Sequence, residues 1–240
     1  MEQPPGVFVS VDGPCGVGKS TTIRALGERL RAVGVPRHLT AEPTGSKIGA
    51  LARARVHSDT CGHALACLFA ADRYHHLETE IRPRLAAGDI VISDRYILAG
   101  LVMQRFDGVD LGFLQAINAL ADPPDLAVIL TADPALIAQR LQQRRLHNRY
   151  QHQPDVSAHE STLYLDAARA LTSAGVQVLR LETSCSPPDT LASMIHSRIE
   201  ALRTYRRTSD PESPALLPRR PGDRDQERAN PARPEPRATR

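Results

Sequence analysis

Tryptophan is absent from the sequence, and aromatic residues make up only 4% of its 240 positions. A hydrophobic core must therefore be built mainly from Leu, Ala, Val and Ile, for which the hydrophobic fraction of 41% is sufficient. No apolar run approaches the roughly 18 residues that a transmembrane helix needs, and no secretory leader pattern opens the sequence. These absences predict a cytoplasmic protein that does not associate with a membrane.

Cysteine is also scarce. The four cysteines show neither the paired spacing of a metal site nor the framework of a disulfide-rich domain; they are Cys15, Cys61, Cys67 and Cys185. This usage is typical of a protein in a reducing compartment.

The net charge of +3 lies in the last 35 residues, so the rest of the chain is neutral. Residues 206–240 contain nine arginines, six acidic residues and seven prolines, with few apolar side chains. Such a composition does not form a core. We predict one domain over residues 1–205, followed by a disordered tail. Because the charges of the tail alternate in sign, we expect no nucleic-acid partner.

Lysine is the scarcest charged residue, since only Lys19 and Lys47 accompany 28 arginines (30 basic residues less two lysines). Lys19 lies in the pattern Gly-x-x-x-x-Gly-Lys-Ser, between an apolar run and a helical pattern, which is typical of a phosphate-binding loop. Glycines let backbone N–H groups surround phosphate oxygens, while the lysine reaches the β- and γ-phosphates of ATP and the serine binds Mg²⁺. The predicted nucleotide-binding residues are Gly13, Pro14, Cys15, Gly16, Val17, Gly18, Lys19, Ser20 and Thr21.

Strand and helix patterns alternate along the chain. Short apolar runs predict five strands, at residues 7–11, 38–41, 89–93, 126–130 and 176–181. Helical spacing between them predicts long helices at residues 21–33, 63–85 and 189–202. This alternation predicts an α/β domain with a five-stranded parallel sheet and helices on both faces, which is the fold of P-loop NTPases.

Ligands bind at the carboxyl ends of the strands in such a sheet. Glu42 and the pair Asp94-Arg95 each follow a predicted strand, so we expect them to lie beside the phosphate loop. An arginine at this edge can hold a second phosphate group, although Asp94-Arg95 can also be a structural ion pair. Arg73 lies one helical turn after Phe69, which places both side chains on one face of a helix.

The order of these motifs resembles the thymidylate kinase family over about residues 6–204. The matching segments are the phosphate loop, Glu42-Pro43 with Gly45 and Gly49, Phe69-Ala-Ala-Asp-Arg73, Asp94-Arg95-Tyr96, and a polar segment around Arg149. The resemblance implies a nucleoside monophosphate kinase that transfers the γ-phosphoryl group of ATP to dTMP, giving dTDP and ADP. It also implies a homodimer.

The resemblance further implies a set of residues that bind the acceptor nucleotide: Glu42, Arg53, Phe69, Arg73, Asp94, Arg95, Gly100 and Met103. Within this set, Arg53 and Arg95 would hold the acceptor phosphate. Phe69 would stack on the base, and Arg73 would form hydrogen bonds to its edge.

A metal site and a lid complete the expected active site. Asp94 would hold Mg²⁺ together with Ser20. A polar segment over about residues 144–157 has no apolar periodicity and is crowded with arginine; the arginines in and before it are Arg140, Arg144, Arg145 and Arg149. We interpret this segment as a lid whose arginine covers the γ-phosphate and excludes water. Arg149 lies deepest in it and is the first candidate, so the expected catalytic residues are Lys19, Arg95 and Arg149.

The sequence departs from the family pattern at three positions. Cys15 replaces an acidic residue usually found within the loop, and a thiol does the work of a carboxylate only when ionised. Asp12 and Glu42 are the candidates to replace that acid. Gly100 and Met103 stand where the family has a hydroxyl residue and a tyrosine. Two alternatives therefore stay open: a kinase of the same fold for another or modified nucleoside monophosphate, and a regulator that binds ATP without catalysis.

Overall fold

A computed structural model describes residues 6–56, 61–143 and 156–208, without the side chains of residues 156–158. The described residues form five strands: β1 (Val7–Asp12), β2 (Arg37–Ala41), β3 (Ile90–Asp94), β4 (Leu126–Thr131) and β5 (Gln177–Glu182). All four strand pairs are parallel, in the order β2-β3-β1-β4-β5. The predicted five-stranded parallel sheet is confirmed.

Helices connect the strands and cover the sheet. They are α1 (Lys19–Ala32), α2 (Lys47–Arg55), α3 (Gly62–His76), α4 (Arg82–Ala86), α5 (Ile97–Met103), α6 (Leu111–Ile117), α7 (Pro134–Gln142), α8 (Val156–Ser173) and α9 (Pro188–Thr208). The helix predicted over residues 63–85 is helical throughout, but a π-helical turn, Leu77–Ile81, divides it. Within the described ranges, no helix is long and apolar enough to cross a membrane.

Strand β1 lies at the centre of the sheet, between β3 and β4. Its two faces are both buried, which is why its sequence reads as a continuous apolar run. Val7, Val9 and Val11 pack on one face against side chains of α1 and α9. On the other face, the ring of Phe8 meets that of Tyr96 edge-on, with 4.8 Å between the ring centroids. A fully buried side chain of this size contributes about 1.5–3 kcal/mol, so β1 fixes both helical layers.

The central position of β1 brings the carboxyl ends of two strands together. Val11 pairs with Asp94 of β3, and the Arg95 N–H donates to the Val11 carbonyl at 3.0 Å. The loop that leaves β1 and the residues that leave β3 therefore start side by side. This is the edge at which the sequence predicts a ligand site.

The last helix ends three residues beyond the predicted domain boundary, at Thr208. Arg206 belongs to this helix and not to the tail, because its guanidinium donates to the Gly6 carbonyl and to the Asp125 carboxylate. Asp125 also accepts the N–H of Phe8 at 2.7 Å, so one buried carboxylate joins the start of the sheet to the last helix. Apart from residues 206–208, the predicted tail lies outside the described residues.

We predict that truncation after Thr208 leaves the melting temperature unchanged, whereas truncation after Tyr205 lowers it. Loss of Arg206 leaves the buried Asp125 carboxylate with one charged donor fewer, which costs about 1–3 kcal/mol. Calorimetry of both truncated chains beside the full-length protein measures this difference. Equal melting temperatures for the two truncated chains would show that Arg206 does not stabilise the domain.

Candidate active site

The loop after β1 has a backbone that glycine alone adopts easily. Gly13, Gly16 and Gly18 have φ angles of 142°, 81° and 108°. A Cβ atom at Gly13 would also lie only 2.4 Å from the Leu130 carbonyl oxygen of β4. The loop leads directly into α1, whose N-terminus has no side-chain cap. Its first N–H groups are therefore available to an anion, as the phosphate-loop pattern predicts.

The ammonium group of Lys19 is held against this loop. Lys19 is 8% exposed, and its Nζ donates to the carbonyls of Gly13 and Pro14, each at 2.8 Å. The pKa of Lys19 falls from 10.5 to about 8, first because of burial and then because of the positive charge of Arg95. Keeping the lysine charged at neutral pH therefore costs on the order of 3 kcal/mol.

Arg95 comes from the end of β3 and has an unusual backbone, since its φ of 73° is left-handed. Such conformations cost of order 1–3 kcal/mol and concentrate at functional sites. One end of its guanidinium lies 3.3 Å from the Tyr164 hydroxyl, and the other lies 3.3 Å from the Cys15 sulfur. Burial opposes its charge, but Tyr164, the Cys15 thiol and nearby carboxylates outweigh that effect and raise the pKa of Arg95. Arg95 is therefore a permanent cation beside the loop.

Ser20 and Asp94, the predicted metal ligands, lie together. The Ser20 hydroxyl donates to Asp94 Oδ2 at 2.9 Å, across the gap between α1 and the end of β3. A hydroxyl and a carboxylate are hard oxygen donors, and Mg²⁺ is commonly held by one or two such groups and by phosphate oxygens. The two residues therefore fit a magnesium ion bound beside a nucleotide.

One acidic group that contacts the loop was missed by the sequence analysis. Glu160 of α8 is 3% exposed, and its Oε2 accepts the N–H of Cys15 at 3.4 Å, while its Oε1 has no hydrogen-bond partner among the described residues. Burial raises the pKa of Glu160, against the influence of Arg95 and Lys19. The separation of 145 residues along the chain explains why no local pattern revealed it.

Of the two acidic residues expected to replace the missing loop acid, Asp12 lies within reach of the charges of Arg95 and Lys19, whereas Glu42 lies beside Arg73. Asp12 accepts the N–H groups of Tyr96 and Ala99 through Oδ1, at 3.3 and 3.1 Å, and so supports the start of α5. Burial raises the pKa of Asp12. Glu42 is 6% exposed and faces Arg73 instead of the loop.

Arg73, the predicted reader of the base, is 2% exposed and firmly held. Its Nε donates to Glu42 Oε2 at 3.0 Å, and its two terminal nitrogens donate to the Asn118 side chain and the Tyr96 carbonyl. The other oxygen of Glu42 contacts His76 Nδ1 at 3.2 Å. Glu42 therefore positions Arg73, a role that the sequence analysis did not assign to it.

The other residues predicted to bind the acceptor nucleotide differ in exposure. Phe69 is half-buried on α3, four residues before Arg73, and Met103 is half-buried on α5. The guanidinium of Arg53 is exposed and donates to the carbonyls of Pro43 and Thr44. The lid was predicted over about residues 144–157; residues 144–155, with Arg149, lie outside the described residues, and α8 begins at Val156.

A cavity of about 250 Å³ lies on the other side of the loop, between it and the start of α9. Arg140 of α7 extends over the loop and donates to the carbonyls of Gly16 and Val17, at 3.5 and 3.4 Å. The Thr183 hydroxyl, which follows β5, donates to the same Val17 carbonyl at 2.8 Å. The cavity therefore adjoins the loop on the side of Arg140 and Thr183.

A phosphate loop with a buried lysine, a serine–carboxylate pair and an adjoining cavity is the site of a P-loop phosphotransferase. Comparison with known proteins defines the class further, because the thymidylate kinase family model matches residues 11–184. The chain belongs to the thymidylate kinase family, and it is an ATP-dependent nucleoside monophosphate kinase.

Relatives among known proteins agree with this assignment. A probable thymidylate kinase of Caldivirga maquilingensis is 36% identical over 166 residues, which cover 68% of this chain and 81% of the relative. A probable thymidylate kinase of Pyrobaculum aerophilum is 40% identical over 147 residues, covering 60% of this chain and 74% of the relative.

We predict that Lys19→Met lowers turnover at least about 100-fold while the melting temperature at pH 7 stays equal or rises. The folded-state pKa of Lys19 lies below its unfolded value, so the unfolded chain binds more protons between about pH 8 and 10.5. Below about pH 8 the buried ammonium charge of Lys19 therefore lowers the free energy of unfolding by its full amount. Methionine carries no charge and removes this destabilisation. ADP formation and thermal unfolding at pH 7 measure the two effects.

Lys47→Met is the matched control, because Lys47 is the other lysine of the chain and is exposed on α2. Lys47→Met should change neither the turnover nor the melting temperature at pH 7. Turnover close to that of the unaltered protein in Lys19→Met would contradict the assignment of the phosphate loop.

Proposed function

We propose that this kinase transfers the γ-phosphoryl group of ATP to dTMP, giving dTDP and ADP. The observation that carries the proposal is that two cations contact one loop: Lys19 Nζ lies 2.8 Å from the carbonyls of Gly13 and Pro14, and Arg95 lies 3.3 Å from the Cys15 sulfur. They are close enough for the charge of Arg95 to lower the pKa of Lys19. Negative charge placed between them removes this repulsion, and a phosphoryl group in transfer between two phosphates supplies such charge.

In this proposal the two nucleotides lie on different sides of the loop. ATP would lie on the side of Arg140 and Thr183, with its phosphates in the loop. The acceptor would lie on the side of Arg73, with its base against Phe69. Arg95 would hold the acceptor phosphate near the loop, with Arg53 as a second cation at its entrance. This arrangement brings the two phosphates in line, which is the main requirement of phosphoryl transfer.

Ser20 and Asp94 would hold Mg²⁺ in this proposal. When bound, the ion neutralises charge on the β- and γ-phosphates. The hydrogen bond between Ser20 and Asp94 keeps both oxygen ligands at the mouth of the loop. Glu160 would take the place of the acid missing from the loop, because its carboxylate interacts with Arg95 and the Cys15 N–H.

An ADP-formation assay with a panel of deoxynucleoside and ribonucleoside monophosphates tests the proposal. Turnover with dTMP well above that with other acceptors supports it. Faster turnover with another monophosphate favours a kinase of different specificity, which Gly100 and Met103 make the leading alternative. Binding of ATP without turnover of any acceptor would favour the non-catalytic regulator. The proposal also includes a cytoplasmic location and a homodimer, and ultracentrifugation tests the latter.

We predict that Arg149→Ala lowers kcat by about 100-fold or more, with a smaller effect on the affinity for ATP. The arginine of a lid meets charge that develops mainly in the transition state. Arg169→Ala is a suitable control, since Arg169 is an exposed arginine of α8 paired with Asp166. A raised KM for ATP with unchanged kcat would make Arg149 a ground-state contact, and Arg144 or Arg145 would then be the better candidate.

We predict weak discrimination between deoxyribose and ribose in the acceptor. Met103 is flexible and half-buried, and it stands where a rigid tyrosine is expected to exclude a 2′-hydroxyl group. The kcat/KM for dTMP should exceed that for its ribose counterpart by no more than about tenfold. Met103→Tyr should raise this ratio. A strong deoxyribose preference that Met103→Tyr leaves unchanged would show that Met103 does not face the sugar.

A further inference from the structure

Tyr164 of α8 is a buried aromatic residue whose hydroxyl reaches the active site. Its ring is fully buried in a cluster of apolar side chains from α5, β4 and α8. A phenylalanine ring would fill the same place, and a buried hydroxyl costs free energy unless it has a hydrogen-bond partner. The partner is Arg95, whose Nη1 donates to the Tyr164 hydroxyl at 3.3 Å. Arg95 therefore accounts for the hydroxyl, and packing accounts for the ring.

The backbone of Arg95 is fixed by two hydrogen bonds. Its N–H donates to the Val11 carbonyl at 3.0 Å, and its carbonyl accepts the Ser93 hydroxyl at 2.7 Å. The side chain beyond the Cα atom has several rotatable bonds, and ordering such a side chain costs conformational entropy. Contacts at the guanidinium must therefore decide where its positive charge lies.

Two contacts hold this guanidinium. Nη1 donates to the Tyr164 hydroxyl, and Nη2 donates to the Cys15 sulfur at 3.3 Å. Sulfur is a weak acceptor, so the hydroxyl is the stronger of the two partners. Among the described side chains, no carboxylate forms an ion pair with Arg95, in contrast to Glu42, which pairs with Arg73. Tyr164 is therefore the main group that sets the position of the Arg95 charge.

An uncharged partner leaves the charge of Arg95 available to a ligand. Burial raises the pKa of Tyr164 well above its usual value of 10.0, so the hydroxyl is neutral at physiological pH. A guanidinium has five N–H groups, and the contacts with Tyr164 and Cys15 use two of them. Phosphate oxygens accept such N–H groups in pairs, with charge-assisted hydrogen bonds. Arg95 can therefore bind a phosphate without first breaking an ion pair.

We propose that Tyr164 is a positioning residue, which holds Arg95 where this arginine meets the phosphate of the acceptor. The inference rests on the proposed function, because it assigns Arg95 to the acceptor phosphate. Tyr164 acts through Arg95 and does not touch the acceptor itself. Glu160 lies one turn before Tyr164 on the same face of α8, and it accepts the N–H of Cys15. One helix face therefore holds both the loop and the arginine.

Tyr164→Phe tests the inference, because it removes the hydroxyl and keeps the ring. The guanidinium of Arg95 then loses its stronger acceptor, so the kcat/KM for dTMP should fall about tenfold, mainly through a higher KM. The KM for ATP and the melting temperature should stay close to those of the unaltered protein. A purely structural role would instead lower the melting temperature and affect both substrates alike.

A double-mutant cycle with Arg95→Ala shows whether Tyr164 acts through Arg95. In the Arg95→Ala background, Tyr164→Phe should change the kcat/KM for dTMP by less than about twofold, although it costs about tenfold when Arg95 is present. Initial rates at low dTMP concentration give kcat/KM even where the acceptor binds too weakly to saturate.

Tyr205→Phe is the matched control, since Tyr205 is an exposed tyrosine of α9. This substitution removes a hydroxyl far from any predicted site residue in the sequence. It should leave kcat and both KM values unaltered.

The outcomes separate this inference from the proposed function. An unchanged kcat/KM in Tyr164→Phe, equal losses for dTMP and ATP, or equal losses in the two backgrounds would overturn the role of Tyr164, while turnover of dTMP still supports the kinase. If another monophosphate is the better acceptor, dTMP is the wrong acceptor, and the same cycle with that nucleotide tests Tyr164 through the same phosphate group. If no monophosphate is turned over, both proposals are wrong.

Discussion

The repulsion between Lys19 and Arg95 is the constraint on which the rest of the site depends. The fold holds these two cations against one loop at the end of a buried sheet, and the pKa of the lysine is lowered by burial and by the charge of Arg95. Such an arrangement destabilises the site when no ligand is bound, and it favours the binding of polyanions. The left-handed backbone of Arg95 and the glycine backbone of the loop are local costs that keep the two cations in place.

The carboxylates around these cations have separate tasks. Asp94 holds the Ser20 hydroxyl, Asp12 supports the start of α5, and Glu42 positions Arg73 away from the loop. Glu160 accepts a hydrogen bond from the loop backbone, through the N–H of Cys15. Glu160 of α8 is therefore our candidate for the acid that the resemblance to the family places at Cys15.

Local patterns were enough to predict the elements whose order defines the fold. The β-branched runs of β1, β3 and β4 read as strands because both of their faces are buried, and the glycines around Lys19 read as a phosphate loop because of their spacing. The π turn at Leu77–Ile81 has no such signal, since its residues continue a helical pattern. Contacts between residues far apart in the sequence could not be predicted from local patterns either. Glu160 reaches Cys15, and Arg206 reaches Asp125, only once the sheet has formed.

Proton uptake on ATP binding tests most directly whether an anion relieves the repulsion between the two cations. At pH 8 the Lys19 ammonium should be about half protonated, and bound phosphate should raise its pKa. Calorimetric titration of ATP in buffers of different ionisation enthalpy should therefore show uptake of about half a proton per complex. The uptake should vanish in Lys19→Met and persist in Lys47→Met. ATP binding without proton uptake, or with the same uptake in Lys19→Met, would contradict the account.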